Sequence, residues 1–347
     1  MQARFFPYRL IFKRPAGTSR GTLHFKDTYL LILRDGNRYG VGECALFRGL
    51  SADDRPEYET FLHDFIHSIN SGLPMDESHL LRWPSIRFGW ETALASLQHE
   101  RPDVLFPSAF TQGNAGIPIN GLIWMGDKAF MRNQIDEKIR TGFHVIKLKI
   151  GALDFQTELE LLAYIRRHFS PDELEIRVDA NGAFSPDHAL EKLQRLADYA
   201  IHSIEQPIRP GQWEQMAELV EQSPVPIALD EELIGLFDTD EQQKMLDVIR
   251  PSYIILKPSL LGGFAATSQW IRLAENRGTG WWITSALESN VGLNAIAQFT
   301  YLQHPAIPQG LGTGGLFTNN FPSPLYMEGE FLRYNPRNKM EIPFVHS

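Results

Sequence analysis

A single cysteine, Cys44, denies this chain of 347 residues an intramolecular disulfide or a thiolate metal cluster, which fits a reducing compartment, the cytoplasm. No apolar run approaches the ~20 residues of a membrane helix. The start, MQARFFPYRLIFKRPAG, carries charges every few residues where a secretory signal would be uninterrupted and apolar. Positive charge is in deficit. With 33 Lys and Arg against 42 Asp and Glu, the formal net charge of -9 argues against nucleic acid or an anionic membrane as partner. Low-complexity tracts, internal repeats and long linkers are missing too. What remains is an ordinary globular composition, 43% hydrophobic and 22% charged, at a length that allows two domains.

Residues 1 to about 46 alternate apolar and polar side chains around a turn at Asp35-Gly36-Asn37, which predicts an antiparallel meander. Its first two strands are separated by the polar, Gly-containing stretch 14–21, suited to a flap, and a second irregular stretch, 46–51, precedes two helices. Strands followed by helices predict a small α+β capping domain over 1–112. From 113 the pattern changes to strands alternating with helices, and the last residues, 319–347, read as a return to the first domain.

The second pattern has a rhythm. Short apolar runs end one after another in polar residues: Lys147 and Lys149 in VIKLKIG, Asp179 in EIRVDAN, Glu205 in IHSIEQP, Asp230 in PIALDEE, Lys257 in YIILKPS, and Ser285 with Glu288 in WWITSALES. From 149 the steps are 30, 26, 25, 27 and 28 residues, the length of a strand, a crossover helix and two loops. Helices are predicted at 127–141, 154–169, 211–222, 238–249, 264–276 and 291–302, with a further one opened by Ser185-Pro186. With a first strand at 117–120 and an eighth near 309–311, the fold expected over 113–318 is α/β, a modified TIM barrel of (β/α)7β form.

The downstream ends of barrel strands converge on one pocket. Three acids brought together there would repel, unless a divalent cation joined them, and an all-oxygen set suits magnesium, with manganese as a substitute, better than zinc. The plainer alternative is that each acid only caps the following helix. Lys147 and Lys149, two apart on one strand, share a face, so each ammonium lowers the proton affinity of the other. Lys257 arrives from the opposite side. Lysines facing each other across a cation form a site for drawing a proton from carbon beside a carboxylate, because the dianion so formed needs strong positive charge.

Lys147-Leu-Lys149, Asp179-Ala-Asn181, Glu205-Gln-Pro207, Asp230-Glu231 and Lys257-Pro258 resemble the enolase superfamily, in its muconate-lactonizing-enzyme-like group. Gly42-Glu43-Cys44-Ala45, Gly49-Leu50-Ser51, Ser285-Ala-Leu287-Glu288-Ser289 and Gly312-Thr-Gly-Gly are similar to its o-succinylbenzoate synthases. The resemblance implies Mg2+ on Asp179, Glu205 and Asp230, a small carboxylate substrate, Lys149 as the base that starts a dehydration, and Lys257 as the charge across the ring, with Lys147 acting through Lys149. It also implies substrate contacts from Thr18, Ser19 and Arg20 in the flap, from Leu50 and Ser51, from Arg177 and Asn181 near the metal, and from Ser285, Leu287, Glu288 and Gly312. Two departures stand out: Ala45-Leu46-Phe47-Arg48 lacks the proline often found there, and Ala286 stands where a second serine is common. A racemase or epimerase on the same scaffold is the nearest alternative, although the Asp-x-Asp of dipeptide epimerases is missing from the eighth strand. His63 and His67, one helical turn apart, read as a solvated face, and Gly262-Gly263 as a tight turn.

Overall fold

The computed structural model describes residues 1–18, 21–73 and 77–346. Three strands, β1 (Gln2–Thr18), β2 (Gly21–Asp35) and β3 (Arg38–Cys44), form an antiparallel sheet in that order. Both faces of β2 are covered over residues 28–33. Tyr29, Leu31 and Leu33 pack under α1 (Tyr58–Asn70) and α2 (Pro84–Leu97), while Leu30 and Ile32 meet Phe321 and Ile342 from the far end of the chain. Phe344 stacks on Phe6 at 5.1 Å, so the chain does return to its first sheet. Helix α2 lies close on β3 because Gly42 has no side chain: a Cβ there would stand 1.9 Å from the carbonyl oxygen of Gly89.

Two expectations need correction. The flap read over 14–21 is largely strand, since β1 and β2 stay paired to Thr18 and Gly21 after a register shift between Ile11 and Ala16. That irregularity, beside Pro15, breaks the alternation by which a strand is recognised. Ser19 and Arg20 lie outside the described residues. The strand read at 117–120 is not the first barrel strand: β4 (Gly116–Pro118) pairs antiparallel with β13 (Phe331–Tyr334), and the first barrel strand comes just after, as β5 (Gly121–Ile123). Pro118, with no N–H for a ladder, suits the edge position that β4 takes in the order β12-β13-β4, where β12 is Leu325–Glu328.

The barrel then follows the predicted alternation: α3 (Lys128–Arg140), β6 (Val145–Lys149), α4 (Phe155–His168), β7 (Glu175–Asp179), α5 (Pro186–Ala197), β8 (Ser203–Glu205), α6 (Trp213–Gln222) and β9 (Ile227–Leu229). It continues through α7 (Thr239–Ile249), β10 (Tyr253–Leu256), the short α8 (Pro258–Leu261), α9 (Gly263–Glu275), β11 (Gly280–Ile283) and α10 (Asn290–Leu302). Strands β5 to β11 form one parallel sheet in sequence order, and parallel bridges from Ile119 to Gln309 and from Thr284 to Gly310 join its two ends. The eighth stave is therefore a bridging segment rather than a full strand. Asp127, Asp154, Asp238 and Ser289 accept backbone N–H bonds at the starts of α3, α4, α7 and α10; Ser185, the cap expected for α5, makes no such side-chain bond. Gly262 and Gly263 turn the chain after β10 at φ 100° and 89°.

Candidate active site

Strand register lines up the first charged residues. Lys149 on β6 is the direct neighbour of Asp179 on β7, which is the direct neighbour of Glu205 on β8. Asp230 follows β9 and Lys257 follows β10, so five strands deliver their charges to one end of the sheet. Lys147 and Lys149 place their ammonium groups 3.0 and 3.1 Å from the same oxygen, Oδ2 of Asp179, and Lys147 also donates to Glu205. Lys257 donates to Asp230 from the other side. Helix capping does not account for these acids. Asp230 opens a 3-10 turn (Glu231–Leu233) without bonding its N–H groups, and only Asp179, through Oδ1 on the N–H of Asn181 at 3.0 Å, bonds the following backbone.

Burial sets the electrostatics, and the mixture of signs decides each outcome. Burial pushes Asp179 up, but Lys147, Lys149 and Lys257 overcome it and hold the carboxyl well below its usual range. Glu205 goes the other way: burial, then Asp179, keep it well above. For Lys147, burial opposes the charge while Asp179 and Glu205 favour it, and the net effect is upward; Lys257 is likewise raised against its own burial by Asp230 and Glu205. Lys147 is thus held charged. Glu231, buried beside Asp230, is pushed up to about 7.

As the side chains stand, no three Asp, Glu, His or Cys residues among those described are gathered to hold a metal, because lysine ammonium groups stand among the carboxylates. The donor set nevertheless suits a hard divalent cation. Asp179, Glu205 and Asp230 offer oxygen alone, all three are at least 98% buried, and Oε1 of Glu205 has no hydrogen-bond partner.

The cavity above this cluster is lined by Lys147, Lys149, Asp179, Asn181 and Lys257, and its walls include Leu50, Ser285, Leu287 and Gly312 from the predicted set. Other predicted residues lie elsewhere. Arg177 is one layer down, bonded to Glu175 and the carbonyl of Pro308 and set 4.6 Å from the ring centre of Trp282. Ser51 is turned inward to accept from the N–H of Phe47 at 2.9 Å. Glu288 is fully buried behind the wall, where it accepts from the N–H of Ala286 and from Ser259. Thr18 ends β1, and its side chain, like Ser19 and Arg20 altogether, is outside the described residues. Sequence reasoning missed Phe47, Asn120, Trp124, Glu231, Trp282 and Thr284, all of which line the cavity. Asn120 could have been found by the same reading as the others, since it ends the apolar run Ile117-Pro-Ile.

Residues 131–320 match the enolase C-terminal domain-like family. The chain is 50% identical to the o-succinylbenzoate synthase of Desulfotalea psychrophila over 93% of its own length and 96% of the relative's. The crystal structure of MenC from the same organism superposes with a TM-score of 0.87 at 46% identity, covering 96% of this chain and 99% of that one. A fold likeness extends to the L-Ala-D/L-Glu epimerase of Bacillus subtilis, with a TM-score of 0.82 at 16% identity over 98% and 97% of the two chains. A strand-end cluster of opposed lysines and acids, an enolase-type barrel over more than half of the sequence, and half of all residues shared with a synthase across nearly the whole length have one reading: this chain belongs to the enolase superfamily, in its o-succinylbenzoate synthase family.

Proposed function

We propose that this chain dehydrates 2-succinyl-6-hydroxy-2,4-cyclohexadiene-1-carboxylate to 2-succinylbenzoate, a step of menaquinone biosynthesis, in the cytoplasm. The reading rests on Lys149 and Lys257, which reach one buried acid cluster from opposite sides in a chain 50% identical to a synthase. Lys149, as the neutral amine, takes the proton from the carbon beside the ring carboxylate. The electron pair moves onto the carboxylate to give an enediolate, then returns into the ring as the C–O bond to the hydroxyl breaks, and the ammonium just formed on Lys149 gives its proton to the departing oxygen. Water leaves and the ring is aromatic. Lys257 keeps its charge throughout, steadied by Asp230, and stabilises the enediolate across the ring. Lys147, held charged by Asp179 and Glu205, adds positive charge beneath Lys149. Asp179, Glu205 and Asp230 would hold Mg2+, or Mn2+ in its place, and the ion supplies further positive charge for the substrate carboxylate. Leu50, Ser285, Leu287 and Gly312 form walls around the succinyl arm. No helix among the described residues is long and apolar enough to cross a membrane.

Racemisation of an N-acylamino acid is the second reading, supported by the placement of two lysines at opposite sides of the cluster. Incubation of the protein and Mg2+ with the cyclohexadiene decides between them. Formation of 2-succinylbenzoate, lost on chelation, is expected; magnesium-loaded, folded protein that forms none rejects the synthase reading.

A further inference from the structure

Lys26 belongs to β2 and is only 4% exposed, yet its ammonium group serves the far side of a boundary. Its Nζ donates to the carbonyl oxygens of Ala286 at 3.1 Å and Leu287 at 3.0 Å, in the loop after β11, and stands 5.6 Å from the ring centre of Phe47. Phe47 and Leu287 both line the cavity, and Lys26 does not. A single buried cation therefore touches two pieces of wall that come from distant parts of the sequence.

The loop it holds is constrained at every step. Leu287 sits at φ 61°, a left-handed conformation that a γ-branched residue adopts only when its surroundings impose it. The N–H of Ala286 donates to Oε2 of Glu288 at 2.8 Å, and Glu288 also accepts from Ser259, two residues beyond Lys257. On the other side Glu43 of β3 accepts from the N–H and Oγ of Ser289 at 3.0 and 2.5 Å and from the N–H of Gly292 at 3.0 Å. Burying an ammonium is costly, and an apolar side chain of the same length would fill the space without that cost. What such a side chain could not do is hold two carbonyl groups of a strained loop.

We infer that Lys26 is a positioning residue: through the carbonyls of Ala286 and Leu287 it sets the cavity wall from the N-terminal sheet, and so governs how tightly substrate is held rather than how fast it reacts. The inference uses the synthase reading for its assay. Steady-state kinetics of Lys26→Met should show KM raised at least about tenfold with kcat within about threefold of wild type, the pattern of lost binding common to ground and transition states. A loss of stability alone would lower apparent kcat by the unfolded fraction and leave KM unchanged. If Lys26→Met does not fold, Lys26→Leu, which likewise removes both bonds to the carbonyls, is measured in its place. An unchanged KM in a folded variant overturns the inference, and so does failure of both variants to fold, which would make Lys26 a stability residue. Wild-type protein that forms no product overturns the synthase reading and this inference with it; an active wild type isolates the test to Lys26.

Discussion

The Nζ of Lys149 donates to Oδ1 of Asn181 at 2.7 Å, and Asn181 in turn donates from Nδ2 to Glu231 at 3.1 Å. Asn181 is two residues beyond Asp179 and sits at φ 45°, a left-handed conformation that asparagine tolerates better than most residues. The amine that would take the proton is therefore aimed by a side chain whose backbone suits few replacements.

Asn181→Gly keeps the conformation and removes the carboxamide. Its melting temperature should stay within a few degrees of wild type, while kcat falls about 10–100-fold, because a misaimed base loses proximity rather than chemistry. Circular dichroism melts and steady-state kinetics check this; an unchanged kcat would show that Asn181 does not orient Lys149.

A second prediction concerns acid stability. Asp53 is fully buried, accepts from the N–H and Oγ of Ser85 at 2.9 and 2.7 Å at the start of α2, and is pushed by burial from an ordinary value of 3.8 up to about 6. The folded carboxyl binds its proton more tightly than the unfolded one. Its contribution is therefore full below about pH 4 and is lost as pH rises through about 6, by up to about 3 kcal/mol. Asp53→Asn does not titrate, so relative to wild type it should gain stability between about pH 4 and 7, as read from urea midpoints. A constant difference across that range would contradict the assignment.

Gly42→Ala tests the packing of the first domain. A Cβ 1.9 Å from the carbonyl of Gly89 forces α2 away from β3, at a cost of about 1–3 kcal/mol or more. Urea denaturation should show a clear fall in midpoint; a midpoint equal to that of wild type would mean that the helix can shift freely.

Much of this was legible because a parallel barrel repeats one unit, and a polar residue at the end of each apolar run marks the same face each time. Lys149, Asp179, Glu205, Asp230 and Lys257 were found that way. Depth within the barrel was not legible. Arg177 shares a strand face with Asp179, but two residues along a strand is also one layer down, and the guanidinium ends beneath Trp282. The resemblance implied a substrate contact for Glu288, which in fact turns back to hold its own loop and Ser259. Apolar walls such as Phe47, Trp124 and Trp282 carry no signal that separates them from core. The first barrel strand was read at 117–120 because Ile117, Pro118 and Ile119 form an apolar run, and only the pairing with β13 assigns Ile117 and Pro118 to another sheet and leaves the barrel to β5.

Lys149 and Lys257 meet one acid cluster from opposite sides. The most direct measurement is the rate of 2-succinylbenzoate formation by Lys149→Ala and Lys257→Ala beside wild type, all folded and supplied with Mg2+. Each variant should lose at least about 100-fold in kcat, the scale of a removed acid–base or charge-stabilising group. Near-wild-type turnover by either one would contradict its assigned role.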